Sequence, residues 1–133
     1  MPRTMTQRVH FDAPPSTVFA LYMDSRLHAE TTGAGAAIDP RPGRAFTAWD
    51  GYIGGVTLHV EPDRMVVQTW RGSDWNRDDP DSIFVLLFLA DGEGTSLHVT
   101  HANIPDGQFE GVRDGWKQYY WQPWKRWIKK QPH

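Results

Sequence analysis

Residues 108–130 form the one long helical candidate in this chain, and the remaining elements must supply a surface for it. Val112, Trp116, Tyr120, Pro123 or Trp124, and Trp127 recur there at spacings of three and four, which aligns them along one stripe of a helix. The stretch from Gly115 to Trp127 alone holds four of the seven tryptophans. So much aromatic surface on one helix needs a covering partner, because apolar area left in water is unfavourable. Pro123 lies inside the pattern and predicts a kink or break there, since proline removes an intrahelical donor. Trp121 and Trp124 sit off the centre of the stripe. One of them is expected to pack on the kinked end or to shield a cavity mouth, and a tryptophan left exposed would mark a dimer contact.

The covering surface is legible upstream. Met5, Val9 and Phe11 alternate with Thr6, Arg8 and His10, the period of a half-buried strand over residues 3–11. Pro14 and Pro15 then open a short helix over 15–22. Asp24 or Ser25 caps a second helix through Glu30, which Gly33 ends in the left-handed conformation. Strand-like runs follow over 36–39, 44–50, 52–61, 65–70, 82–90 and 95–102. Turn signals lie at Asp50-Gly51, at Glu61-Pro62-Asp63 and at Asp91-Gly92-Glu93-Gly94. The order implies an α+β helix-grip arrangement: a curved antiparallel sheet of six or seven strands around the long C-terminal helix, with two short helices after strand one. At 133 residues the expectation is one domain spanning 1–133.

Composition removes several function classes. Fourteen basic against sixteen acidic residues give a net charge of −2, without the basic footprint of a nucleic-acid binder. No cysteine is present, so there is no disulfide framework, thiolate nucleophile or thiolate metal site. The longest apolar run, 83–90, is too short to cross a bilayer, and the N-terminus lacks a signal-like segment. The expectation is a soluble cytoplasmic protein with no membrane insertion. Asp74 to Asp81 resembles the start of a calcium loop, yet Asp79 stands where the turn needs glycine and Val85 where the bidentate glutamate belongs. Gly33 to Ala37 follows a helix, which disqualifies it as a dinucleotide loop. No hydrolase elbow, phosphate loop or zinc-protease motif occurs, and neither a cofactor nor catalytic residues are assigned.

Phe11-Asp12-Ala13-Pro14, Pro42-Gly43 with Phe46, Trp49-Asp50-Gly51-Tyr52-Ile53-Gly54, Trp70-Arg71, Ile104-Pro105 and Gly115-Trp116 with Tyr119 to Trp121 together resemble the activator of heat-shock-protein-90 ATPase homologue family. That family lies within the START-like, or Bet v 1-like, superfamily, and the resemblance covers nearly the whole chain. It implies a helix-grip fold with an apolar cavity between sheet and long helix. In eukaryotic activators the matching module is the C-terminal half, and the present chain begins directly at strand one. Superfamily members include lipid carriers, hormone receptors and polyketide cyclases. The resemblance therefore implies a small apolar or amphipathic ligand, with a chaperone partner in a stress response and a cyclase-type enzyme as alternatives, and a monomer or homodimer.

Candidate ligand contacts follow from the faces. Trp116 and Tyr120 line the helix stripe, where a phenol or indole can orient a ligand. His101 shares a strand face with Leu97 and Val99 and points inward, whereas His98 lies with Ser96 and Thr100 toward solvent. The two imidazoles thus cannot share a metal, and no metal site is assigned. Gln68 and Trp70 share one face of their strand; Val66 and Val67 offer no contrast, so which face is inward stays open. Phe46 and Phe84 complete the expected lining, and Arg71 reads as a surface or strand-end charge.

Overall fold

The computed structural model describes residues 2–131; Met1, Pro132 and His133, the ends of the expected 1–133 domain, lie outside the described residues. Strand β1 (Arg3–Phe11) leads into helices α1 (Pro15–Met23) and α2 (Ser25–Thr32). Asp24 caps α2 by accepting from the Leu27 amide at 3.0 Å, and Gly33 ends it at φ 82°. Strands β2 (Ala45–Ala48), β3 (Ile53–Glu61), β4 (Met65–Gly72), β5 (Ser82–Asp91) and β6 (Gly94–Ile104) follow. All pair antiparallel in one six-stranded sheet of order β1-β6-β5-β4-β3-β2. The fold is the helix-grip arrangement that the order of elements implies.

Two strand expectations fail for local reasons. Residues 36–39 form no strand, only an isolated bridge from Ala37 to Thr47, because the chain there is anchored by side chains instead. Ser25 Oγ accepts from the Ile38 amide at 2.8 Å, and Thr57 Oγ1 donates to Asp39 O at 3.1 Å. The run expected over 44–50 stops at Ala48, since Trp49, Asp50 and Gly51 all take positive φ, at 55°, 56° and 91°. Positive φ in a tryptophan is costly and persists only where neighbours enforce it. Asp50 supplies that enforcement: its carboxylate accepts from the Gly35 amide at 2.6 Å and its own amide donates to Gly35 O at 3.0 Å.

The long helix is continuous in three parts: α3 (Phe109–Trp116), a π turn (Lys117–Trp121) and α4 (Gln122–Lys130). In the π turn the Gln122 amide reaches Lys117 O, five residues back, just before Pro123, which has no amide hydrogen to give. The expected break is thus a local widening. One extra residue in the turn shifts the phase of the buried face, so Trp121, Trp124 and Ile128 are buried while Trp127 is only partly covered. That corrects the placement of Trp121 and Trp124: both are core, at 3% and 0% exposure. Phe11 meets them at ring distances of 6.1 and 5.7 Å.

Glycines record where backbones crowd. A Cβ at Gly55 would lie 2.0 Å from Thr69 O, whereas one at Gly111 in α3 meets nothing within 4 Å. Gly55→Ala should therefore destabilise the protein by about 2 kcal/mol or prevent folding, and Gly111→Ala should stabilise it by about 0.5–1 kcal/mol through helix propensity. Urea unfolding midpoints of the two variants check both signs.

A candidate ligand cleft beside a sealed interior

Thr57, Gln68, Phe84, His101 and Met5 pair in register across β3, β4, β5, β6 and β1, forming one row on the inner face of the sheet. The face left open by Val66 and Val67 is the one carrying Gln68 and Trp70, at 0% and 9% exposure. Over this row packs the helix through Trp116, whose ring lies 5.3 Å from that of Phe84. His101 accepts at Nδ1 from Trp116 Nε1–H at 2.9 Å, so its proton sits on Nε2 and is donated to Ser82 Oγ at 2.8 Å. Ser82 in turn donates to Trp70 O. A second proton on His101 would set two donors against each other, and burial lowers its pKa to about 3.

A second chain of bonds occupies the other polar groups. His28 Nδ1–H donates to Tyr22 O at 2.8 Å, leaving Nε2 to accept from the Tyr120 hydroxyl at 3.0 Å. Tyr120 also accepts from Trp49 Nε1–H at 3.2 Å. The Tyr22 hydroxyl donates to Gln68 Oε1 at 2.7 Å, and Gln68 Nε2 donates to Thr57 Oγ1 at 3.1 Å. Burial lowers the pKa of His28, raises that of Tyr120, and, with the nearby Tyr120, raises that of Tyr22. These groups stay neutral near pH 7 and hold one another in place.

Open space lies elsewhere. A cleft of about 580 Å³ sits between α3 with the π turn on one side and β3, β4 and the loop after β4 on the other. Of the candidate contacts, Trp70, Trp116 and Tyr120 line it. Gln68, His101, Phe84 and Phe46 do not; they are 0–2% exposed within the packed interior. The pattern of faces assigned His101 inward and left the face of Gln68 open; inward here means closed core. Trp49, Tyr52, Trp75 and Tyr119 line the cleft although no strand or helix period marked them. Gly111 and Gly115, one helical turn apart, remove two side chains from the face of α3 that borders it. Their spacing of four was the available signal.

The rim is built by the loop after β4. Tyr52 donates to the Asp74 carboxylate at 2.6 Å, and burial together with that carboxylate pushes its pKa up to about 12. A Cβ at Gly72 would meet the Tyr52 hydroxyl at 2.8 Å and Trp75 Nε1 at 3.0 Å, so only glycine lets both rings approach the strand end. Arg71 ties the same loop down through Asp81 at 2.8 Å and the carbonyls of Asn76 and Asp79. It is an organiser of this loop rather than an idle surface charge. Tyr52 and Tyr119 stand exposed at the mouth, at 42% and 47%. Among the described lining residues none is charged, and Trp70 Nε1–H has no partner.

Residues 12–123 match the family described as "Activator of Hsp90 ATPase homolog 1-like protein". The chain belongs to this family. An uncharacterized protein of Schizosaccharomyces pombe is 31% identical over 121 residues, covering 91% of this chain and 36% of that protein. The activator of 90 kDa heat shock protein ATPase homolog of Dictyostelium discoideum is 25% identical over 117 residues, or 87% of this chain and 30% of its own length. The chain thus spans about a third of these curated relatives. Among solved structures, an HSP90 activator from Plasmodium falciparum superimposes with a TM-score of 0.84 at 25% identity, over 90% of this chain and 91% of that one. CalU16 from Micromonospora echinospora gives 0.81 at 25% identity, over 97% and 78%. The fold is that of the Bet v 1-like, or START-like, superfamily, which Ara h 8.0201 shares at a TM-score of 0.78 and 13% identity. Among the described residues no helix is long and apolar enough to cross a membrane.

The sealed imidazole predicts an acid limb. His101 has a folded-state pKa near 3 against about 6.5 unfolded, so the unfolded chain binds the extra proton between these values. Its contribution is complete above pH 6.5 and is lost as pH falls toward 3, with a slope of up to about 1.4 kcal/mol per pH unit. His101→Gln should lower stability at pH 7 and flatten that slope. Urea unfolding at pH values from 7 to 4 measures both.

Proposed function

We propose that the protein binds a small, uncharged, flat apolar or amphipathic molecule in the cleft bordered by Gly111 and Gly115. The observation that carries this reading is the composition of the wall: four tryptophans and three tyrosines around about 580 Å³, without a charged side chain among the described lining residues. Aromatic faces favour planar partners, and an ionised ligand would meet no counter-charge there. Buried methylenes contribute about 0.8 kcal/mol each, so a ligand of modest size reaches micromolar affinity. The neutral His28, His101 and Tyr120 support binding over proton transfer, since every ring nitrogen and hydroxyl among them has a protein partner. The cytoplasm is the proposed compartment.

Nile red, an uncharged planar dye, tests the cleft directly. We expect saturable micromolar binding by fluorescence titration, and at least tenfold weaker binding by Gly115→Leu. A Cβ at Gly115 meets its nearest neighbour, the Tyr119 ring, at an ordinary 3.5 Å, so the variant should fold while filling the cleft. Equal binding by both proteins would remove the cleft as the site. A second reading, contact with an Hsp90-type chaperone, draws on the similarity to Hsp90 activators and on the exposed Tyr52 and Tyr119. It predicts stimulation of a chaperone ATPase that Tyr119→Ser reduces and Nile red does not.

A further inference from the structure

The sheet ends on one side in β1, and among the described residues the outer edge of that strand has no backbone partner. The C-terminal helical run lies alongside β1 in the same direction. Arg3 stacks on the Phe109 ring at 3.9 Å, Gln7 donates to Arg113 O at 3.2 Å and accepts from Trp121 Nε1–H at 2.7 Å, and Lys125 Nζ sits 5.9 Å from the Phe11 ring. Between strand and helix runs a groove of about 570 Å³, with Gln7, Arg8 and Val9 on one wall and Lys117, Trp121 and Lys125 on the other. Arg8 is exposed while Gln7 and Val9 are half-buried, as alternation along a strand requires. A lining that includes both faces locates the groove at the strand's edge. It shares no residue with the aromatic cleft.

Charge distinguishes this edge. Arg8, Lys117 and Lys125 form no ion pair among the described residues, and no carboxylate lines the groove. From Gly115 to the C-terminus the sequence contains Lys117, Lys125, Arg126, Lys129 and Lys130 and no acidic residue, in a chain whose net charge is −2. Val9 and Trp121 give the groove an apolar floor between the cations.

We propose that this groove receives an extended acidic segment of a partner protein, which adds a strand to β1. Unpaired backbone groups along a strand edge are matched, at the ladder spacing, only by another polypeptide backbone, which favours a peptide over a lipid surface or a nucleic acid. The cations set its side chains. The eight helical rises between Lys117 and Lys125 span about 12 Å, and four rises of an added strand span about 13 Å. Carboxylates at positions i and i+4 therefore reach the two lysines, while an apolar residue at i+2 falls over Val9 and Trp121.

A fluorescein-labelled heptapeptide with aspartate at its second and sixth positions, valine at the fourth and threonine elsewhere is the probe, read by fluorescence polarisation on the full chain. The peptide should bind, more weakly as salt rises, and at least tenfold more weakly to the double variant Lys117→Glu, Lys125→Glu. That variant should instead prefer a peptide with lysine in place of aspartate. N-methylation of one alternating set of peptide amides should abolish binding and the other set should spare it, because only one set faces β1. This last comparison uses the unaltered protein, so it decides the matter even where the double variant fails to fold. Absence of binding, indifference to both N-methyl sets, or an affinity unchanged by charge reversal in a folded variant would overturn the proposal. Binding of phosphatidylserine vesicles without binding of the peptide would overturn it in favour of a lipid headgroup site.

Discussion

Pro123 is the constraint on which the arrangement of the aromatic helix depends. Without an amide hydrogen it cannot satisfy Tyr119 O in α-helical fashion, and the chain answers with a π turn over Lys117–Trp121. The inserted residue lets two consecutive aromatics, Tyr120 and Trp121, both turn inward. They serve different neighbours: Tyr120 bonds to His28 and Trp49, and Trp121 bonds to Gln7 of β1. A regular helix would present one of them to the core and carry the other about 100° away. The π turn is thus what fastens the helix to the short helices and to the sheet edge at the same level.

That fastening explains why the interior is full. The two buried histidines and the buried amide beneath the helix are each committed: His101 to Trp116 and Ser82, Gln68 to Tyr22 and Thr57, His28 to Tyr22 and Tyr120. An orphaned member of such a chain costs about 1–3 kcal/mol, so the bonds hold the row across the sheet closed as firmly as its packing does. The aromatic cleft opens beside the positions where the helix carries no side chain, Gly111 and Gly115, and is walled on the other side by Trp49 and by the loop carrying Trp75.

Much of this fold is legible in the sequence because its determinants are periodic or stereochemical. Alternation marks β1 and β6, Asp24 and Gly33 delimit α2, and Pro123 announces an irregularity in the helix. What periodicity cannot carry is depth. It assigns His101 to the inner face correctly and leaves Gln68 open, and a residue facing a packed core and one facing a cleft have the same period. Nor does it reach residues outside regular elements. Trp49 and Tyr52 owe their positions to three successive left-handed residues pinned by Asp50 and Gly35, and Trp75 to a loop tied by Arg71. The phase slip that buries Trp121 and Trp124 also escapes a fixed 3.6-residue count.

In a sheet gripping one helix, the stripe of large side chains fixes how the two pack, and the smallest residues on that helix fix what remains between them. Side chains at 111 and 115 would occupy the cleft without disturbing the His101 or Tyr120 bonds, since a Cβ at either position meets nothing closer than 3.5 Å. A fold shared at 13% identity therefore does not fix what lies between sheet and helix, because few positions decide between a filled cleft and an open one. Fold and cleft volume are in this sense separate properties of the same helix, the first written in its aromatics and the second in its glycines.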